Sequence, residues 1–105
     1  MDKILGIELG STRIKAVLID EKTAVIADGS HEWENRLIDG LWSYSLESVE
    51  EGLRHSFAEL KANYEAKYSK PLNEISAIGV SAMMHGYLAF DENDTLLVPF
   101  RTWRN

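Results

Sequence analysis

Apolar residues recur along this chain with two different periods, and the change of period divides it into segments. Residues 4–9, ILGIEL, form an apolar run suited to a buried strand, Gly10 permits a tight reversal, and residues 14–19, IKAVLI, are rich in β-formers again. The first nineteen residues therefore predict a β-hairpin with Gly10, Ser11 and Thr12 at its tip. Asp20, Glu21 and Lys22 make a polar turn, and a β pattern resumes over residues 23–27 and runs on towards Trp33, which gives three antiparallel strands. Residues 34–45 mix charge with Gly40, Trp42 and Tyr44 and read as a connecting loop that returns across the sheet. From Ser45, a plausible N-cap, the period becomes helical. Leu46, Val49, Leu53, Phe57, Leu60, Tyr64 and Tyr68 follow at steps of three and four, with Glu and Lys on the other faces, until Pro71 stops the helix. Early Glu and later Lys residues also suit the helix dipole. Residues 75–80, ISAIGV, are a short apolar run after a helix, the pattern of a buried strand paired in parallel with an earlier one. Residues 87–90 predict another strand, residues 91–94 a turn, and residues 96–98 a further short strand. The expected order is β-β-β-α-β-β with the short strand at 96–98 following, an α/β fold on a mixed sheet.

Composition narrows the functional classes. With 105 residues, 45% of them hydrophobic and 27% charged, the chain suits one ordinary domain with a core of its own. A net charge of −6 argues against a broad nucleic-acid or anionic-membrane surface, so no nucleic acid and no membrane is expected as a partner. Any anion site must be local, and Lys15, Arg101 and Arg104 are the local cations. The absence of cysteine removes disulfides and thiolate metal sites, no apolar run approaches the roughly 20 residues needed to cross a bilayer, and a cytoplasmic setting is the default expectation. The ending, PFRTWRN, gathers aromatics, guanidinium groups and an amide where a polar tail is usual. This predicts that the sequence is the first part of a longer one, whose exposed apolar surface would favour self-association, a homodimer included.

Three groups of residues are candidates for chemistry. At the hairpin tip, the backbone N–H groups of Gly10, Ser11 and Thr12 and two hydroxyls can converge on phosphate oxygens, with Lys15 adding positive charge; the same turn also serves a purely conformational role. Glu8 is an acid in an apolar strand. It either points to solvent on the far sheet face or meets a cation or hydrogen-bond donors, and beside a phosphate-holding turn it would supply the hard oxygen that Mg²⁺, or a water bound to it, needs. The third group follows the strand at 75–80, where ligands of open α/β sheets gather. There His85 can hydrogen-bond a polyol hydroxyl, Met84 can pack on its carbon skeleton and Gly86 leaves room; the alternative is a half-buried loop His beside a core Met. Trp103, Arg104 and Asn105 form either one wall of a sugar pocket or a packed Trp with exposed charges. His31 and His55 fit surface positions, and the His spacing gives no zinc-ligand pair. No Gly-Lys-Ser/Thr follows a Gly-rich loop and no GxGxxG occurs, which excludes P-loop and Rossmann readings.

Read together, these segments resemble one family. ILGIELGSTRIKA at residues 4–16 is similar to the first phosphate motif of the FGGY carbohydrate kinases, of the actin and hexokinase superfamily. IGVSAMMHG at residues 78–86 resembles the Met-His-Gly segment of xylulokinase-type members, and the turn at 91–94 with residues 99–105 resembles the Trp-containing stretch that follows it. The resemblance implies a ribonuclease-H-like first domain, present here only in its amino-terminal part, and a second, ATP-binding domain outside this chain. It implies transfer of the γ-phosphoryl group of ATP, with Mg²⁺, to a hydroxyl of a sugar or polyol, a ketopentose such as xylulose being favoured. By position, Gly10, Ser11, Thr12 and Lys15 would face the phosphate, and Met84, His85, Gly86, Trp103, Arg104 and Asn105 would border the acceptor. Glu8 stands where the motif usually has Asp, and Trp103-Arg104-Asn105 where relatives often show Trp-Asn-Asp. The general-base Asp is expected beyond residue 105, so the isolated chain is expected to lack sugar kinase activity. A competing reading of a different class is a non-catalytic sugar-sensing or protein-association module of the same superfamily, with an actin-like or chaperone ATPase as a third.

Overall fold

Alternation of apolar residues builds the amino-terminal hairpin. In the computed structural model, which describes residues 2–84 and 86–104, β1 (Ile4–Leu9) and β2 (Arg13–Ile19) pair antiparallel from Ile4 opposite Ile19 to Leu9 opposite Ile14. Leu5, Ile14, Ala16 and Leu18 are buried on one face. The Asp20 carboxylate accepts the N–H groups of Lys22 and Ala24, and Thr23 takes a φ of 64°, so the chain turns back into β3 (Val25–Glu32), antiparallel to β2.

Residues 34–45 are not a loop. They fold as β4 (Arg36–Ile38) and β5 (Leu41–Tyr44), joined through Asp39 and Gly40 at φ 50° and 79°. Two positive φ values in a two-residue connection are the geometry that an Asp-Gly pair favours in hairpins. With β7 (Phe100–Arg101) these strands form a second sheet in the order β4-β5-β7.

The helix has the expected bounds. In α1 (Leu46–Tyr68), Ser45 Oγ accepts the Ser48 N–H at 3.1 Å, and Ser69 closes the far end at a left-handed φ of 53° with its N–H on Glu65 O. The helix lies over β2 and β3, burying Leu60 and Tyr64 against Leu18, Ala27 and Leu72. Gly29 makes this close approach possible: a Cβ there would fall 2.2 Å from Ser56 O and 2.6 Å from Leu60 N.

After the helix, β6 (Ala77–Ala82) joins β1 in parallel, so the main sheet runs β3-β2-β1-β6. The expected pairing forms, but the expected burial does not. Strand β6 is an edge exposed throughout its length, with Ile78 62% and Val80 66% accessible, because α1 covers the other half of the sheet. The strands expected at 87–90 and 96–98 reduce to single bridges, Tyr87 with Arg101 and Phe90 with Leu96. Between them Asp91 Oδ1 accepts the N–H groups of Asn93 and Thr95. Among the described residues no helix is long and apolar enough to cross a membrane.

Candidate functional site

Parallel pairing makes β1 and β6 finish side by side. Leu9 is opposite Ala82, and Met83 N–H donates to Leu9 O at 3.0 Å, so the hairpin tip and the segment after β6 leave the sheet at one corner. The second sheet delivers its own residues there. Tyr87 and Arg101 exchange backbone bonds at 3.2 Å, and Thr102 N–H donates to Trp42 O at 3.1 Å.

The tip is held from behind. Trp33 Nε1–H donates to Gly10 O at 2.7 Å, the Tyr44 hydroxyl donates to Ser11 O, and the Trp33 backbone N–H donates to Thr12 O at 3.1 Å. Trp33 and Tyr44 stack with ring centroids 4.0 Å apart, and Tyr44 leans on Phe100 at 5.2 Å. A trans peptide points its N–H opposite to its C=O, and the described residues contain no cis bond. With the Gly10 and Ser11 carbonyls turned towards the two aromatics, the N–H groups of Ser11 and Thr12 face outward, and among the described residues neither has a partner. Two outward N–H donors, on residues that each carry a hydroxyl as well, can serve an oxyanion. Gly10 is tightly placed, since a Cβ would sit 3.0 Å from Arg13 O. Neither Trp33 nor Tyr44 belongs to the sequence-derived candidates.

Glu8 is exposed and pairs across the strands with Lys15, also exposed, on the sheet face opposite α1. Of its two sequence-level readings, the solvent-facing one is observed, and a cation lies opposite as well. Glu8 Oε1 reaches back to within 3.7 Å of the Cβ position at Gly10. Below this pair runs an open groove of about 480 Å³ lined by Ile4, Gly6, Val17 and Gly79 among others. Among the described residues no three His, Cys, Asp or Glu side chains gather around a metal position. A lone exposed carboxylate fits Mg²⁺ only in the way that ion usually binds beside nucleotides, with waters and phosphate oxygens completing its shell.

Met84 is 86% exposed just past β6. Gly86 is half-buried against Phe100, where a Cβ would lie 2.8 Å from Cε1, so its missing side chain first serves that packing. Trp103 is exposed, whereas Arg104 is held: its guanidinium lies 3.4 Å over the Trp42 ring and reaches Asn35 Oδ1 at 3.4 Å. His85 and Asn105 lie outside the described residues.

A family model described as the FGGY family of carbohydrate kinases, N-terminal domain, matches residues 3–105, and the chain belongs to that family. Among individual relatives, the gluconokinase of Bacillus subtilis (strain 168) is 32% identical over 101 residues, covering 95% of this chain and 18% of that protein. The gluconokinase of Bacillus licheniformis matches to the same extent. The chain thus spans about a fifth of the length of the curated relatives it matches. Among solved structures, a xyloylose kinase from Brucella ovis superposes with a TM-score of 0.79 at 28% identity, over 96% of this chain and 21% of that one. The gluconate kinase from Lactobacillus acidophilus, with a TM-score of 0.74 and 23% identity over 97% of this chain and 20% of that one, shares the fold. The mixed sheet with one covering helix is therefore the amino-terminal part of the ribonuclease-H-like fold expected from the sequence.

Proposed function

We propose that this chain supplies the first part of an ATP-dependent carbohydrate kinase, with the hairpin tip holding the transferred phosphate and the segment after β6 holding the acceptor. The observation that carries this reading is the shared corner: β1 and β6 end together, and the Ser11 and Thr12 N–H groups face outward there. Gly10 lets the backbone approach the anion, the Ser11 and Thr12 hydroxyls add donors, and Lys15 contributes charge from the adjacent strand. Glu8 would hold Mg²⁺, directly or through water, and ATP supplies the phosphoryl group. Met84, His85 and Gly86 on one side, and Trp103, Arg104 and Asn105 on the other, border the acceptor. Residues 1–105 form the amino-terminal part of the first domain, with the general base and most ATP contacts in sequence beyond it. The isolated chain accordingly has no sugar-dependent ADP release. A cytoplasmic setting suits a reaction that consumes ATP.

For the acceptor, the observation that supports one reading over another is the placement of Arg104. A guanidinium fixed by Trp42 and Asn35 stands where a neutral Asn is usual, which favours an acid sugar such as gluconate, the acceptor named for the 32% identical relatives. Met84-His85-Gly86 and the 28% identical xyloylose kinase structure favour the second reading, a ketopentose such as xylulose. The test is ATP-dependent turnover by the intact protein on gluconate, xylulose, ribulose and glycerol. Gluconate is expected to give the highest kcat/KM. Inactivity on every acceptor favours the non-catalytic sugar-sensing module instead.

A further inference from the structure

We propose that His31 and His55 form a two-point imidazole site for a late divalent transition metal ion such as Zn²⁺, Cu²⁺ or Ni²⁺. His31 lies on β3 opposite Ile14, which turns it towards α1, and His55 projects from α1. Their Nδ1 atoms are 3.1 Å apart, with ring centroids at 5.0 Å and planes at 66°. For metal–nitrogen bonds of about 2.0–2.1 Å, nitrogens 3.1 Å apart subtend roughly 100° at the ion, between octahedral and tetrahedral values. Without metal, one ring donates its Nδ1–H to the other. With both rings in the Nε2–H tautomer, both Nδ1 lone pairs are free, and the exposed His55 ring can turn to bring them onto one ion beside the N···N line.

The surroundings admit a cation beside this pair. Gly52 leaves room for the His31 ring, since a Cβ there would lie 3.1 Å from His31 Cδ2. Glu51, one turn before His55, lines the depressions beside both rings. With Glu47 and Glu50 on the helix and Glu32 and Glu34 beside His31, it outweighs the cations Arg54 and Arg36. Imidazole donors select late transition metals over Mg²⁺ and Ca²⁺. The site is also separate from the Glu8 position, which lies on the other sheet face. The protein supplies two ligands and water the rest, so binding is micromolar rather than nanomolar.

Calorimetric titration of the metal-free chain with ZnCl₂ and CuCl₂ tests the site. One equivalent is expected, with affinity falling by at least about tenfold in both His31→Gln and His55→Gln. The Cu²⁺ paramagnetic resonance spectrum is expected to show coupling to two nitrogens in the parent and to one in each variant. His55→Gln changes an exposed helix position, so its fold can be checked by circular dichroism and its result read. No binding by the parent up to about 1 mM cation, full affinity in either variant, or an unchanged nitrogen count overturns the proposal.

Discussion

Tyr44 donates its phenolic hydrogen to the carbonyl oxygen of Ser11, 33 positions earlier in the chain. This bond joins the second sheet to the hairpin tip and fixes which way one peptide of the tip faces. Tyr44→Phe keeps the ring on Trp33 and removes the donor, so stability should fall by about 1 kcal/mol, read from urea unfolding. In the intact protein, KM for ATP should rise while KM for the acceptor stays put. A rise in the acceptor KM alone would contradict the assignment of the tip to phosphate.

Two glycines make a graded comparison. At Gly29 an added Cβ meets helix backbone, Ser56 O at 2.2 Å and Leu60 N at 2.6 Å, so α1 must move off the sheet. At Gly52 it meets side chains, Ile14 Cδ1 at 2.4 Å and His31 Cδ2 at 3.1 Å. Gly29→Ala should cost about 3 kcal/mol or more and Gly52→Ala less. Equal shifts in the denaturation midpoint would mean that the helix is not seated this closely.

Acid should weaken the end of α1 through Glu65. Its carboxylate accepts the Leu72 N–H at 2.8 Å and pairs with Lys61 Nζ at 3.0 Å, and these contacts, the backbone bond first, lower its pKa below 4.5. A pKa lowered in the folded state adds stability that is present above the unfolded value and lost as pH falls through the folded one. Glu65→Gln should therefore destabilise the chain at pH 7, with a penalty that shrinks as pH falls below 4.5 and through the lowered folded pKa. Urea midpoints across this pH range check it.

Burial sets the cost of trimming apolar residues. Leu18 is wholly buried, and Leu18→Ala should cost about 2–5 kcal/mol. Val80→Thr, at the exposed edge, should stay within about 0.5 kcal/mol and improve solubility, measured by thermal unfolding and light scattering.

Legibility followed the strength of local signals. Helix α1 was readable to its ends because its repeat, the Ser45 cap and Pro71 all agree. The β4–β5 hairpin was hidden by the exposed Arg36, Leu37 and Ile38, which show no alternation, although Asp39-Gly40 between apolar residues was a usable turn signal. For β6, an apolar run reads the same whether a sheet is covered or bare, so pairing was accessible and burial was not. Of the candidate corner, Gly10, Ser11 and Thr12 could be chosen from the sequence. Trp33 and Tyr44 could not, because what they hold are backbone carbonyls, which leave no mark on residue spacing.

The parallel ladder is also the pairing of greatest sequence separation in the main sheet. Lys3 and Ser76 are hydrogen-bonded across 73 positions, whereas β1 to β3 and α1 can associate through nearer neighbours. The hairpin tip forms between near neighbours, whereas its companion after β6 reaches it only through a distant closure, the kind of contact that is slow to form. Until β6 pairs with β1, the tip lacks the neighbour that the Met83 N–H to Leu9 O bond joins to it.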